Sequence, residues 1–289
     1  MRGNGKIKVL CGLRGVGKST ALAAWRQELI AQGLPPERII SVNAEDPVHL
    51  RLATSSDVLR RLAGIVPTSG PVTLLIDEPQ TVRDYVTILG SLLGQPRVDV
   101  VLAMSACGRS LHERVKHLHC GVAVRELLPV GGNTAVDKVR MRARWNEILL
   151  RDVLPMCGMG DVNVLERMMV HLLDSIGDSV ALRTISEAIS PFGKRLSPHT
   201  VSCYLQALEE AHVVERCHLW DSNGEMPLPH NYRVFITDLA MCGACFSGMP
   251  DSGWRTKMDA QWLKLRTENK NVYLEKAADG DHGLRFIVP

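Results

Sequence analysis

"CGLRGVGKST", Cys11–Thr20, is a loop that only makes sense between a strand and a helix. Gly12, Gly17, Lys18 and Ser19 fit the pattern G-x-x-x-x-G-K-[ST], the preceding "KIKVL" predicts a buried strand, and the residues after Lys18 predict a helix. Glycines 12, 15 and 17 let the backbone bring successive N–H groups onto phosphate oxygens, and the helix adds its positive N-terminal end. Gly12, Leu13, Arg14, Gly15, Val16, Gly17, Lys18, Ser19 and Thr20 are therefore the candidate nucleotide-binding residues. Lys18 is expected to reach the β- and γ-phosphates, and the Ser19 hydroxyl to ligate Mg²⁺.

A second stretch, "VTLLIDEPQ", supplies the acids such a loop needs. Four apolar residues carry Asp77 to the end of a buried strand, where a carboxylate can hold Mg²⁺. Glu78 follows at once and is the candidate catalytic residue beside Lys18, placed to orient or deprotonate an attacking water. Between the loop and Asp77 lies another strand, "RIISVNAED", so the metal acid is not on the next strand in sequence. That matches the additional-strand class of P-loop ATPases and argues against small-molecule kinases and GTPases. No N/T-K-x-D guanine-reading pattern is present, which leaves ATP as the expected nucleotide.

The apolar runs "IKVLCG", "RIISVNAED", "VTLLIDE", "VDVVLAMSA" and "VAVRELLPV" alternate with segments of helical spacing. Such alternation predicts an α/β fold with a parallel sheet covered on both faces. It stops at the breaker cluster Gly131, Gly132 and Asn133, so the first domain is placed at 1–130. A helical region follows, then "ALRTISEAIS" and "SPHTVSCYLQALEEAHVVERCHLW", two helices and an extended run that together read as a winged helix over 131–225. Ser197 and Pro198 mark the start of the second of these helices. The stretch "DSNGEMPLPHNYR" reads as a wing or hairpin loop, a helix is expected around Trp254–Leu265, and 226–289 is set apart as a short third segment.

Composition limits what else the chain does. With 34 Lys+Arg against 31 Asp+Glu the net charge of +3 is too small for the whole-molecule field to attract nucleic acid. Eight scattered cysteines and no leader-like start lead us to expect reduced thiols and a cytoplasmic location. No apolar run approaches the roughly 20 residues that span a bilayer, so no membrane partner is expected.

These motifs together resemble the prokaryotic AAA-superfamily ATP-binding proteins whose second half is a domain of unknown function. The features that carry the likeness are Arg14 inside the phosphate loop, the acidic strand end Glu45-Asp46-Pro47, and Gln80 two residues after the acid pair. "VVLAMSA" and "ELLPV" are similar to the family's fourth strand and to the end of its ATPase core, and "WNEILLRDVL", "LSPHTVSCYLQALEEAHVVER" and "RVFITDLAM" extend the likeness through the second half. The resemblance implies an AAA-like sheet, Mg²⁺-dependent ATP hydrolysis, and Ser105 as the candidate sensor. Ser105 also reads as a cap for a helix after Gly108.

Some family features are missing. Relatives carry a Gly-Arg pair before the last core strand, whereas Val122 follows Gly121 here, and Arg125, three residues further along, need not substitute because alternate strand positions face opposite ways. An arginine from a second copy or a protein partner is then expected. The family ends in a nuclease-like fold, but Leu284 and Arg285 stand where its carboxylates would be, which argues against phosphodiester cleavage. "CGAC" at Cys242–Cys245 has no second ligand pair for zinc. Lys138, Arg140, Arg142 and Arg144 are spread around a helix rather than set in a stripe. On the second helix of the expected winged helix, His199, Thr200, Ser202 and Gln206 are the candidate DNA-facing residues, with Glu209 and Glu210 opposing phosphate.

Overall fold

A computed structural model of the chain describes residues 7–46, 70–82, 85–93, 98–105, 122–129, 137–158, 160–179, 181–190, 196–221, 223, 225–246, 253–268, 271–281 and 283–289. The chain divides into two compact units, Met1–Leu127 and Leu128–Pro289.

In the first unit, β1 (Ile7–Cys11), β2 (Ile39–Asn43), β3 (Val72–Asp77), β4 (Val98–Met104) and β5 (Val122–Glu126) pair in parallel in the order β2-β3-β4-β1-β5. All five expected strands form. The chain passes from β1 to β2 and β3 before β4 inserts between them, so an additional strand separates the phosphate-loop strand from the strand of Asp77. Side chains alternate between faces as the pleat requires. Val9, Leu74, Ile76, Val100, Leu102 and Met104 pack on one face with Tyr85 and Leu89 of α2 (Tyr85–Leu93). Leu10, Leu75, Val101 and Ala103 pack on the other with Leu22 and Leu29 of α1 (Lys18–Ala31). A sheet buried on both faces leaves no room for an unpaired charge, and Lys8, inside β1, is ion-paired with Asp99 of β4.

The second unit begins with helices α3 (Lys138–Ile148), α4 (Val162–Asp174), α5 (Leu182–Ile189) and α6 (Pro198–Glu210). Their starts are specified locally: Asp137 accepts from Val139 N and Arg140 N, Asp161 from Asn163 N and Val164 N, and Ser197 from Thr200 N. Two of the four basic residues on α3 face other elements of this unit. Arg142 pairs with Glu166 of α4, and Arg144 with Asp238.

After α6 the strands β6 (Val214–Asp221), β7 (Met226–Ile236), β8 (Tyr273–Asp281) and β9 (Leu284–Ile287) form a sheet in the order β7-β6-β8-β9. One expectation is corrected here. Most of "DSNGEMPLPHNYR" is strand, because Met226–Arg233 belong to β7. Pro227 and Pro229 lack an N–H for the ladder, yet β7 is an edge strand, where that loss is tolerated, and the pairing with β6 shifts register between His218 and Leu219. Strand β8, within 226–289, pairs in parallel with β6. Glu275 and Arg285 face each other across β8 and β9 as an ion pair.

Between β7 and β8 lie α7 (Leu239–Cys245) and α8 (Gly253–Glu268), the latter covering the helix expected around Trp254–Leu265. "CGAC" lies on α7, where Cys242 is fully buried and burial pushes its thiol well above the ordinary range. Among the described residues, no helix is long and apolar enough to cross a membrane.

One buried acid sets a pH dependence. Asp259 on α8 is 1% exposed beside Trp262, which stacks on Phe235, and its Oδ1 accepts from Ile236 N at 2.8 Å. Burial, partly opposed by that hydrogen bond, raises its pKa from 3.8 to about 7. Between those values the folded state keeps a proton that the unfolded state releases, so stability falls as pH rises and levels off above the upper one. Asp259→Asn keeps the acceptor oxygen and removes the charge. Urea denaturation is expected to show the variant more stable than the parent at pH 8, with the gap closing towards pH 4; an equal gap at both pH values would show that Asp259 does not titrate in this window.

Candidate nucleotide site

The site lies at the carboxyl ends of the parallel strands, and its first constraint is backbone. Gly12 leaves β1 at φ 143°, and a Cβ there would stand 2.2 Å from the carbonyl oxygen of Leu127. The same end of β5 is tied to β1 by Leu127 N donating to Cys11 O at 2.7 Å. Only glycine fits so close an approach. Gly17, at φ 103°, caps α1 in the left-handed region and turns the chain into the helix.

Lys18 opens that helix and is buried, with Nζ donating to Gly12 O at 3.0 Å and Leu13 O at 3.1 Å. The lysine thus braces the loop while its ammonium stays at the loop's centre. Val16 N closes the turn onto Leu13 O, and Leu13 is buried beneath it. Gly15, Ser19 and Thr20 are exposed on the open side.

β3 delivers the acids. Parallel register sets Asp77 beside Asn43 of β2 and Ala103 of β4. Glu78 adopts a left-handed conformation, φ 52° and ψ 47°, uncommon for a residue with a side chain, and its N–H donates to Ala103 O at 2.8 Å. This turn keeps the Glu78 carboxylate inside the site, 6% exposed, with Oε1 3.8 Å from Lys18 Nζ. Its Oε2 accepts from Ser105 N at 3.0 Å, from Ser105 Oγ at 2.8 Å and from Gln80 Nε2.

Ser105 ends β4 with no exposure at all, and Arg14 NH2 donates to its Oγ at 3.1 Å. The Arg14 guanidinium also bonds Glu45 Oε2 through NH1 at 3.0 Å and lies 2.9 Å from Oε1. Ser105 therefore contacts the acid pair's second member directly. The helix it was alternatively expected to cap lies outside the described residues.

These groups surround a cavity of about 240 Å³, walled by the loop, Asn43, Glu45, Asp77 and Glu78. Asp77 Oδ1 is buried with no hydrogen-bond partner, an arrangement that costs free energy unless a cation or donor enters. The Ser19 hydroxyl and the Asp77 carboxylate are hard oxygen donors of the kind Mg²⁺ takes, so the residues present fit that ion. Asn43 and Glu45 were not among the site residues expected from sequence. Both stand at the end of β2, and only the strand order, with β2 beside β3, brings that end to the acids.

Arg125, considered as a replacement for the missing Gly-Arg arginine, is exposed on edge strand β5, opposite Leu10 in register. In the second unit, His199 and Gln206 are exposed on α6 and Ser202 is half-buried. The Thr200 hydroxyl is 2.9 Å from the capping Ser197 Oγ. Glu209 is paired by Arg216 of β6, and Glu210 is buried, so neither stands as a bare surface charge.

Residues 4–131 match the family described as AAA domain, and residues 131–252 match a domain of unknown function, DUF8612. An uncharacterized protein of Haemophilus influenzae is 25% identical over 268 residues, covering 80% of this chain and 67% of its own length. Among solved structures, Drosophila ORC bound to AT-rich DNA and Cdc6 aligns with 83% of this chain and 85% of that one, at 11% identity and a TM-score of 0.32. C. elegans PCH-2 aligns with 71% and 60%, at 15% identity and a TM-score of 0.33. Likenesses this weak carry no argument about fold or function. The sheet order, the phosphate loop and the matched families together identify an AAA-superfamily P-loop core followed by a domain of unknown function.

Proposed function

We propose that the protein binds Mg²⁺-ATP on its first domain, hydrolyses it, and passes the state of the γ-phosphate to its second domain. The observation that carries this reading is the unpartnered, buried Asp77 Oδ1 in the same cavity as Lys18 and the exposed Ser19. In such a site Ser19 and Asp77 would hold Mg²⁺, whose chemistry there is to neutralise charge on the phosphates. Lys18 supplies fixed positive charge at the phosphate loop. Glu78 orients water for in-line attack and takes its proton.

A second reading, a nucleotide-dependent binding switch with negligible turnover, is favoured by one feature of Glu78. Its Oε2 already accepts from Ser105 and Gln80, which leaves Oε1, 3.8 Å from Lys18 Nζ, as the oxygen for a water to approach. A homo-oligomer or a protein partner is proposed as the source of a further arginine, because Arg125 sits on an edge strand.

On the same reading residues 1–130 hold nucleotide, 131–225 form a winged helix that responds to it, and 226–289 is a degenerate nuclease-like segment. Helix α6 followed by the β6–β7 hairpin supports the winged-helix assignment. DNA is the proposed partner of α6, through His199, Ser202 and Gln206; Thr200 contributes its hydroxyl to the helix cap instead.

Calorimetry and phosphate release test the enzymatic reading. Lys18→Ala is expected to abolish ATP binding, and unchanged affinity would overturn the site. Glu78→Gln is expected to keep ATP and lose at least about 100-fold in turnover; equal turnover by variant and parent would remove Glu78 from the chemistry, while no turnover by either, with ATP bound, would select the switch. For the second domain, DNA affinity that falls with rising salt and weakens in His199→Ala/Gln206→Ala is expected; no binding at low salt would overturn the DNA assignment.

A further inference from the structure

Arg14 is the one loop residue whose charge the hydrolysis scheme does not use, yet it is buried at the wall of the phosphate cavity. A buried guanidinium must be paired, and here it has two different partners. Glu45, at the end of β2, balances its charge. Ser105, at the end of β4, accepts one of its N–H groups. The Ser105 hydroxyl in turn donates to Glu78. The path from guanidinium to the proposed base is thus two hydrogen bonds long, Arg14 NH2 to Ser105 Oγ at 3.1 Å and Ser105 Oγ to Glu78 Oε2 at 2.8 Å.

We propose that Arg14 is the specificity-determining residue that distinguishes a nucleoside triphosphate from a diphosphate, with Glu45 as its stand-in anion, and that Ser105 carries the distinction to Glu78. This deepens the ATP-binding reading above and depends on it. Glu45 and Arg14 line one small cavity together with Lys18, Ser19 and Asp77. A terminal phosphate bound by Lys18 and by a Mg²⁺ that Ser19 and Asp77 would hold brings negative charge to the wall where the guanidinium sits. Arginine presents its donors in a planar fork suited to a carboxylate or a phosphate, so the two anions compete for the same groups. Pairing with phosphate draws guanidinium N–H groups away from Glu45. Because the Ser105 hydroxyl lies between Arg14 and Glu78, a change in the first bond alters how firmly Glu78 is held. A diphosphate lacks the competing group and leaves the Glu45 pairing in place. An arginine on the loop also supplies, within one chain, a cation of the type that the Val122 position lacks.

The test is made where no orphaned carboxylate confuses it. Glu45→Gln, Glu45→Gln/Arg14→Ala and Glu45→Gln/Arg14→Lys are compared with the full-length parent by calorimetry with Mg²⁺-ATP, Mg²⁺-ADP and the non-hydrolysable triphosphate AMP-PNP. The ratio of triphosphate to diphosphate affinity is expected to rise in Glu45→Gln, where the stand-in anion is gone. It is expected to fall by about tenfold or more when Arg14 becomes Ala in that background, with partial recovery in the Lys variant. ADP affinity should change little across the series, a result that a purely structural role for Arg14 would not give. Equal losses of triphosphate and diphosphate affinity, or an unchanged ratio, would overturn the proposal while leaving the nucleotide site standing. If the parent itself binds neither nucleotide, both readings fall together.

For the relay, Ser105→Ala is expected to keep the affinity ratio of the parent while lowering kcat with little change in KM. A ratio that collapses in Ser105→Ala would show that the serine holds Arg14 in place and does not act beyond it.

Discussion

The parallel register between β3 and β4 is the constraint on which the first domain depends. Asp77 lies beside Ala103, Glu78 N donates to Ala103 O, and Ser105 follows two residues later within reach of the Glu78 carboxylate. A register shift of one residue would turn every inward side chain of β3 to the opposite face. It would also separate the acid pair from the serine that holds it. The side chains of β3 and β4 are buried on both faces, from Leu74 to Met104, so the strands that fill the core also place the site.

The backbone at the mouth of the sheet is specified just as closely. Gly12 has no space for a Cβ against Leu127 O, which couples the phosphate loop to the end of β5. Glu78 occupies a left-handed conformation at the other side of the cavity. Strained or glycine-only geometry of this kind persists when surrounding contacts impose it, and it gathers where side chains must be aimed. The loop lysine is held by two carbonyls, the acid by a serine and a glutamine, and the arginine by a glutamate and the same serine. These three charged groups are paired within the protein, whereas the buried Asp77 Oδ1 has no hydrogen-bond partner.

In the second domain the same economy of pairing appears away from any recognised site. Arg142, Arg144, Arg216 and Arg285 are each matched with an acid of this domain. A sequence reader sees four basic residues available for phosphate. The fold spends them on holding helices and strands together.

Much of the secondary structure was legible in the sequence because its signals are local. A glycine-rich loop needs left-handed backbone at fixed spacing, a buried strand needs a continuous apolar run, and helix caps need a side-chain acceptor, so Gly17, "VTLLIDE" and Ser197 each announce their structure within a few residues. Strand order, by contrast, is decided by pairing between segments far apart in sequence, and no local pattern sets β2 beside β3. Asn43 and Glu45 therefore became visible as cavity residues only in the folded sheet, as did the chain of bonds from Arg14 through Ser105 to Glu78. The tail shows the same limit: "DSNGEMPLPHNYR" reads as a wing or hairpin loop, and only the pairing of Met226–Arg233 at the edge of a four-stranded sheet, where the N–H that proline lacks costs little, makes most of it strand. Local signals set the strands of the first sheet, the phosphate loop and the acid pair, whereas their neighbours follow from contacts between distant segments, which are selected by packing and register rather than by local propensity.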